Sequence, residues 1–243
     1  MGSKRIQPVP ALVAVAAMMI GVTILFTLVV RVPFAPTGGY FNFSDVAVYF
    51  AAFAFGPWMG LVAGGVGTAL ADIIGGYAQF APLTFLAHGL EGLVAGYIAY
   101  KLFPQVTRST NPLWRILIAL GWIPFALFLF MLILVKALLG REEDVPRIIG
   151  EIVEERGQVP GVTIGWALGA IVMLSFYFVG EAFIYGMGVI AAGGEALSIN
   201  IPQVIVGGLV GIPLVLAVRR AYPPITSIGQ RRQWREEEAG DRE

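Results

Sequence analysis

The chain has no cysteine, a single histidine and little charge: only 13% of its 243 residues are Asp, Glu, Lys or Arg. The missing cysteine excludes a disulfide scaffold and thiolate metal centres, and the lone histidine excludes an HExxH site. A soluble domain carries about 25% charged and 45–50% apolar residues. Here the apolar share is 57% and the mean hydropathy is +0.79. So little charge cannot coat a water-facing surface of this size, so soluble enzyme classes drop out and the lipid bilayer is the expected solvent. The 16 basic and 16 acidic residues cancel. They sit mostly in the two tails and near 141–156, which leaves no basic face for nucleic acid. A GxxxxGK[ST] phosphate loop is also missing, so the energy for any active transport has to come from a partner or an ion gradient.

What is present is a series of long apolar runs. A spanning helix needs about 20 mostly apolar residues, and on that rule the sequence predicts helices over 10–30, 57–74, 84–102, 161–190 and 199–218. A shorter apolar helix is expected over 45–55, stopped by Gly56-Pro57. Loops are expected at 33–39 and at 75–82, and a turn at Gly193-Gly194. The first run exceeds the ~7–15 residues of a signal-peptide core and lacks a small-x-small cleavage site, so it reads as a retained helix. The fold class is therefore an all-α polytopic membrane protein. It has about six core transmembrane helices plus one extra apolar segment, 113–139, interrupted at Gly121 and Pro124 and either re-entrant or a seventh span. Lys4 and Arg5 before the first helix, and the arginines after the last, place both ends in the cytoplasm. Seven full spans would break that parity, which favours the re-entrant form. Residues 1–222 form one membrane domain with a charged insertion at 141–160. Residues 223–243 form a charged tail, expected to be disordered.

A charged side chain at the centre of a span costs about 2.5–3.5 kcal/mol on insertion scales, so each one needs a reason. Thr84, His88 and Glu91 recur at i, i+4, i+7 and share a helix face. Tyr177, Glu181 and Tyr185 do the same. Asn42 and Asp45 open the short helix, Asp72 closes the next, Gln79 lies in the loop after it, and Asn200 and Gln203 open the last helix. If about six spans count for topology, all these helix ends fall on the extracytoplasmic side, where they could line one pocket. Asn42, His88, Glu91, Glu181, Asn200 and Gln203 are the expected substrate contacts, with Asp45, Asp72, Gln79, Thr84, Tyr177 and Tyr185 as further pocket residues.

Plainer roles remain open for several of them. Asp45 suits a first helical turn, Asp72 an interface, His88 and Glu91 a self-satisfied buried pair, and Tyr185 an aromatic belt. Gly56, Gly60, Gly64 and Thr68, then Gly92 and Gly96, then Gly207 and Gly211, repeat every four residues as helix-packing seams do in lipid. No nucleophile–base set is visible, so an enzyme is not expected, nor is a cofactor or metal. The competing readings are a proton- or ion-coupled transporter with Asp72, His88 and Glu91 as a relay, and a structural membrane protein. Acidic residues without a Lys or Arg inside the spans lean away from a strongly anionic ligand.

Several stretches resemble the substrate-binding S components of energy-coupling factor (ECF) vitamin transporters. They are GYFNFSD at 39–45, AFGPWMGLVAGGVGTALAD at 54–72 and APLTFLAHGLEGLVAGYIAY at 81–100, then FYFVGEAFIYG from Phe176 and INIPQVIVGGLVGIPLVLAVRR from Ile199. The resemblance implies a multi-pass protein of the prokaryotic plasma membrane that binds a water-soluble vitamin or precursor near the outer face. It further implies a transmembrane coupling (T) subunit and two cytoplasmic ATPase subunits, with the S component toppling in the membrane to release its cargo. The family's small-residue docking motif on the first helix corresponds here to Ala17 and Gly21. His88 stands where the family often has lysine. The segment 114–139 and the charged stretch after it look like an insertion, and the loop 33–40 is in the position of a lid.

Overall fold

The protein's computed structural model describes residues 9–102, 159–222 and 225. The expected extra segment 113–139, the charged insertion as far as residue 158 and the tail from 226 lie outside the described residues.

Helix α1, Val9–Val29, leads into a two-stranded antiparallel hairpin, β1 Val32–Phe34 and β2 Gly39–Phe41. In its register Pro33 faces Tyr40 and Phe34 faces Gly39. Gly38, at φ 78°, closes the turn. Next come α2, Ser44–Phe55, and α3, Pro57–Gly75. Gly56, at φ 99°, lets the chain reverse between them, and Pro57 takes the first helical turn, where a missing N–H costs nothing. Helix α4, Ala81–Tyr97, runs on into a wide π-turn, Ile98–Leu102. It starts earlier than expected because Pro82 belongs to its first turn rather than to the loop.

Helix α5 spans Val159–Val179 and also ends in a π-turn, Gly180–Ile184. The expected run to residue 190 is thus broken. Gly186 and Gly188 adopt φ of 67° and 85°, which a helix cannot contain. Helix α6, Val189–Glu195, comes next, then a third π-turn, Ala196–Asn200, and α7, Ile201–Ala221. Gly193 and Gly194 are therefore helical, not a turn. Asn200 and Gln203 open α7 as expected, Asn200 at its N-cap, and the turns before them join α7 in one apolar run, Val189–Arg219.

Among the described residues, four helical runs can cross a bilayer by length and composition: Pro10–Val29, Pro57–Gly75, Gly161–Ile184 and Val189–Arg219. They turn residues such as Val13, Leu25, Ile171, Ile190 and Leu214 outward, which suits lipid. Helix α2 is the centre of the bundle, with every residue except Phe50 buried. Tyr49 and Phe53 stack along it at 5.8 Å. Helices α3 and α4 meet on their glycines: a Cβ on Gly60 would lie 2.6 Å from the Gly92 carbonyl oxygen, and one on Gly64 would strike the His88 carbonyl. Gly207 of α7 gives the same access to α2, since a Cβ there would lie 2.5 Å from Asp45 Cβ. These approaches bring Asp45, His88 and Gln203 together.

Candidate functional site

The connectivity carries the C-terminal ends of α1, α3, α5 and α6 and the N-terminal ends of α2, α4 and α7 to one end of the bundle, beneath the hairpin. A cavity there is lined by Thr27, Tyr40, Asn42, Asp72, Thr84 and His88 from the first half of the chain, and by Tyr177, Glu181, Glu195, Asn200 and Gln203 from the second. Gly39, Ser44, Thr68 and Phe80 complete the wall. The cavity with its open mouth holds about 420 Å³.

The floor is a hydrogen-bonded chain. Asn42 N–H donates to Gln203 Oε1 at 3.0 Å, and Gln203 Nε2 donates to Asp45 Oδ1 at 3.2 Å. Ser44 N–H donates to Asn42 Oδ1 at 2.7 Å, turning that side chain toward the α2 N-terminus. His88 Nδ1 lies 2.8 Å from Glu91 Oε2 and 3.3 Å from Asp45 Oδ1. Its ring stands edge-on to Tyr177 at 5.6 Å. Asp45, His88 and Glu91 are all buried and each offers an atom within 4.8 Å of the others, so these three could hold a cation.

The roof is the hairpin. Tyr40 OH donates to Asp72 Oδ1 at 2.6 Å. Burial, with the adjoining carboxylate, pushes the Tyr40 phenol above its ordinary pKa, so it stays protonated and keeps donating. Thr37 donates to Glu195, and Gly39 lies so close over Glu195 that a Cβ there would strike the carboxylate. Tyr177 OH donates to Thr84 Oγ1 at 3.0 Å along the side wall.

The expected contacts divide on this geometry. Asn42, His88, Glu181, Asn200 and Gln203 line the cavity, as do Asp72, Thr84 and Tyr177. Glu91 and Asp45 do not; they brace His88 and Gln203 from behind. Gln79 is exposed and uses only its carbonyl, which accepts from Tyr185 OH at 2.7 Å on the rim. Tyr185 falls off the Tyr177–Glu181 face because the π-turn at Gly180–Ile184 inserts an extra residue and rotates the chain beyond it. Ala17 and Gly21 are exposed on α1 away from the cavity, and a Cβ at Gly21 would meet nothing.

Sequence reasoning did not single out Thr27, Phe80 or Glu195, took Thr68 only as part of a packing seam, and took Tyr40 only as part of a loop. The signal for Glu195 was present: an acidic residue in an apolar run. It was obscured by the neighbouring glycine pair.

The family model described as "ECF-type riboflavin transporter, S component" matches residues 10–149, more than half of the chain. The match takes in α1 to α4 and ends before α5. A protein of Pyrococcus woesei described as "Uncharacterized protein in gap 3'region" is 34% identical over 147 residues, covering 60% of this chain and 90% of that one. With apolar helices long enough to span and a polar cavity at one end of the bundle, the chain belongs to the S-component family of ECF-type vitamin transporters, multi-pass membrane proteins that bind small vitamin substrates and work with T and ATPase modules.

Proposed function

We propose that this protein is the substrate-specific binding subunit of an ECF-type importer in a prokaryotic plasma membrane, with its N-terminus in the cytoplasm. It captures a water-soluble vitamin or vitamin precursor in the cavity under the hairpin. One T subunit and two ATPase subunits supply the energy, and the chain has no ATPase site of its own. Riboflavin, which the family description names, is one candidate cargo. The observation that carries this reading is the polar-lined cavity built from the ends of the described helices. So many buried polar groups are costly in an apolar protein, and a polar ligand gives them a use.

Asn42, His88, Glu181, Asn200 and Gln203 touch the ligand, with Glu91 and Asp45 holding His88 in place. Asp72, Thr84 and Tyr177 form the side walls, and Tyr185 with Gln79 ties the rim. The hairpin lies over the cavity through Thr37–Glu195 and Tyr40–Asp72, so it lifts to admit ligand and closes over it. Closure through Thr37–Glu195 and Tyr40–Asp72 couples ligand binding to the shape presented to the partners. The exposed small-residue stripe at Ala17 and Gly21 offers the T subunit a close helix contact.

The test is mass spectrometry of small molecules released from the purified protein, followed by titration of its tryptophan fluorescence with a vitamin panel. Asn200→Ala and Glu181→Ala each remove a buried polar contact worth about 1.5–3 kcal/mol, so affinity falls about tenfold or more. Native affinity in both folded variants refutes this pocket. The Asp45–His88–Glu91 cluster favours a second reading, proton- or ion-coupled transport by the chain alone. It predicts gradient-driven uptake by vesicles that contain no ATPase subunit.

A further inference from the structure

The cavity is unbalanced in charge. Asp72, Glu181 and Glu195 line it, Asp45 and Glu91 stand behind it, and no Lys or Arg is among its described lining residues. His88, the one basic group in the described wall, is already held between Glu91 and Asp45. Arg31 is exposed and donates to the Gly75 carbonyl at 3.0 Å. Asp72 accepts from Tyr40 at Oδ1, while its Oδ2 has no donor among the described residues. Glu181 is barer still. Glu181, 1% exposed, has no donor for either oxygen among the described residues, and Glu195 lines the same cavity. An independent polar group points into the same space: Asn200 Nδ2, 4% exposed, has no acceptor among the described residues.

Two buried carboxyl groups in one wall cannot both stay ionised unaided: the empty pair keeps a proton, and a cationic ligand can take that proton's place. The unused Asn200 N–H calls for a hydrogen-bond acceptor nearby. The remaining wall offers the rings of Tyr40, Phe80 and Tyr177, whose faces suit a flat, positively charged ring. The hairpin joins the arrangement, since Thr37 and Gly39 sit directly on Glu195. A charge bound between Glu181 and Glu195 therefore also fixes the group on which the hairpin closes.

Resting on the reading of this cavity as the vitamin site, we infer that the cargo is a cationic aromatic N-heterocycle, its positive nitrogen held between Glu181 and Glu195 and a neighbouring acceptor atom held by Asn200. The description that names riboflavin rests on residues 10–149, whereas Glu181, Glu195 and Asn200 lie beyond them.

The experiment is calorimetric titration of the full chain in nanodiscs with four probes. Thiamine and pyridoxamine are cationic, riboflavin is neutral and pantothenate is anionic. The isosteric variants Glu181→Gln and Glu195→Gln, checked for folding by their unfolding midpoint, are titrated alongside Asn200→Ala. The inference expects a cationic probe to bind about tenfold or more tighter than riboflavin and pantothenate, and each Gln variant to lose about tenfold or more of that affinity. If one Gln variant does not fold, the other decides. Riboflavin or pantothenate binding tightest, weakened by Asn200→Ala but unchanged by the Gln variants, overturns the charge inference and leaves the vitamin pocket standing. Folded protein that binds none of the four overturns both.

Discussion

The packing of α3 on α4 sets the positions of Asp72, Thr84 and His88, and it can be tested at a single atom. In Gly60→Ala the new Cβ would lie 2.6 Å from the Gly92 carbonyl oxygen, 2.7 Å from Ala52 Cβ and 2.8 Å from the Gly92 carbonyl carbon. Ordinary carbon contacts are about 3.5–4.0 Å, so the helices must part by about 1 Å. Two of the three obstructing atoms are backbone, which cannot swing aside as a side-chain terminus can. Overpacking a tight core costs about 1–3 kcal/mol, and this geometry belongs at the upper end. Alanine recovers about 1 kcal/mol through its better helix propensity. The net loss is about 2 kcal/mol, which for a chain of this size lowers the unfolding midpoint by about 4–8 °C. Gly21→Ala is the matched control: its Cβ meets nothing, so only the propensity gain remains and the midpoint holds or rises. Thermal unfolding of both variants in one detergent, monitored by tryptophan fluorescence, gives the comparison. A Gly60→Ala midpoint equal to or above that of Gly21→Ala would show that the seam is looser than the structure places it.

The roof and the outer face of α1 give two further expected outcomes. Tyr40→Phe removes the 2.6 Å hydrogen bond to Asp72 and leaves a buried carboxylate oxygen without its donor. The hairpin then opens more readily, and bound vitamin dissociates about tenfold or more faster in a stopped-flow displacement assay; an unchanged off-rate would mean that this bond does not hold the lid. Gly21→Leu fills the exposed small-residue groove of α1 without touching the cavity. It should abolish co-purification with the T subunit while vitamin affinity stays at the native value, and intact complex formation would move the docking surface elsewhere.

Much of this was legible in the chain itself. A composition with half the usual charge leaves only the bilayer as solvent. Runs of about 20 apolar residues punctuated by Gly and Pro marked α1, α3 and the body of α5 and α7 within a few residues, because in lipid every backbone group must be satisfied inside its own helix. The four-residue glycine repeats marked the α3–α4 seam for the same reason that they form it, since only hydrogen at Cα lets the backbones approach so closely. Polar residues at helix ends marked one end of the bundle as the place to look.

The tertiary structure decided what lies next to what within that end. Simple 3.6-residue spacing puts Tyr185 with Glu181 and separates Glu195 from Asn200, but each of these segments contains a π-turn. The extra residue in each turn rotates Tyr185 out to the rim and brings Glu195 and Asn200 onto the same cavity wall. Such a turn is stable only where neighbouring helices accommodate the widened backbone, and that is not written in the local sequence. The glycine pair at 193–194 misled for a similar reason. In water it favours a turn, but inside an apolar run the cost of unpaired backbone groups keeps it helical, and so Glu195 joins Glu181 in the cavity wall.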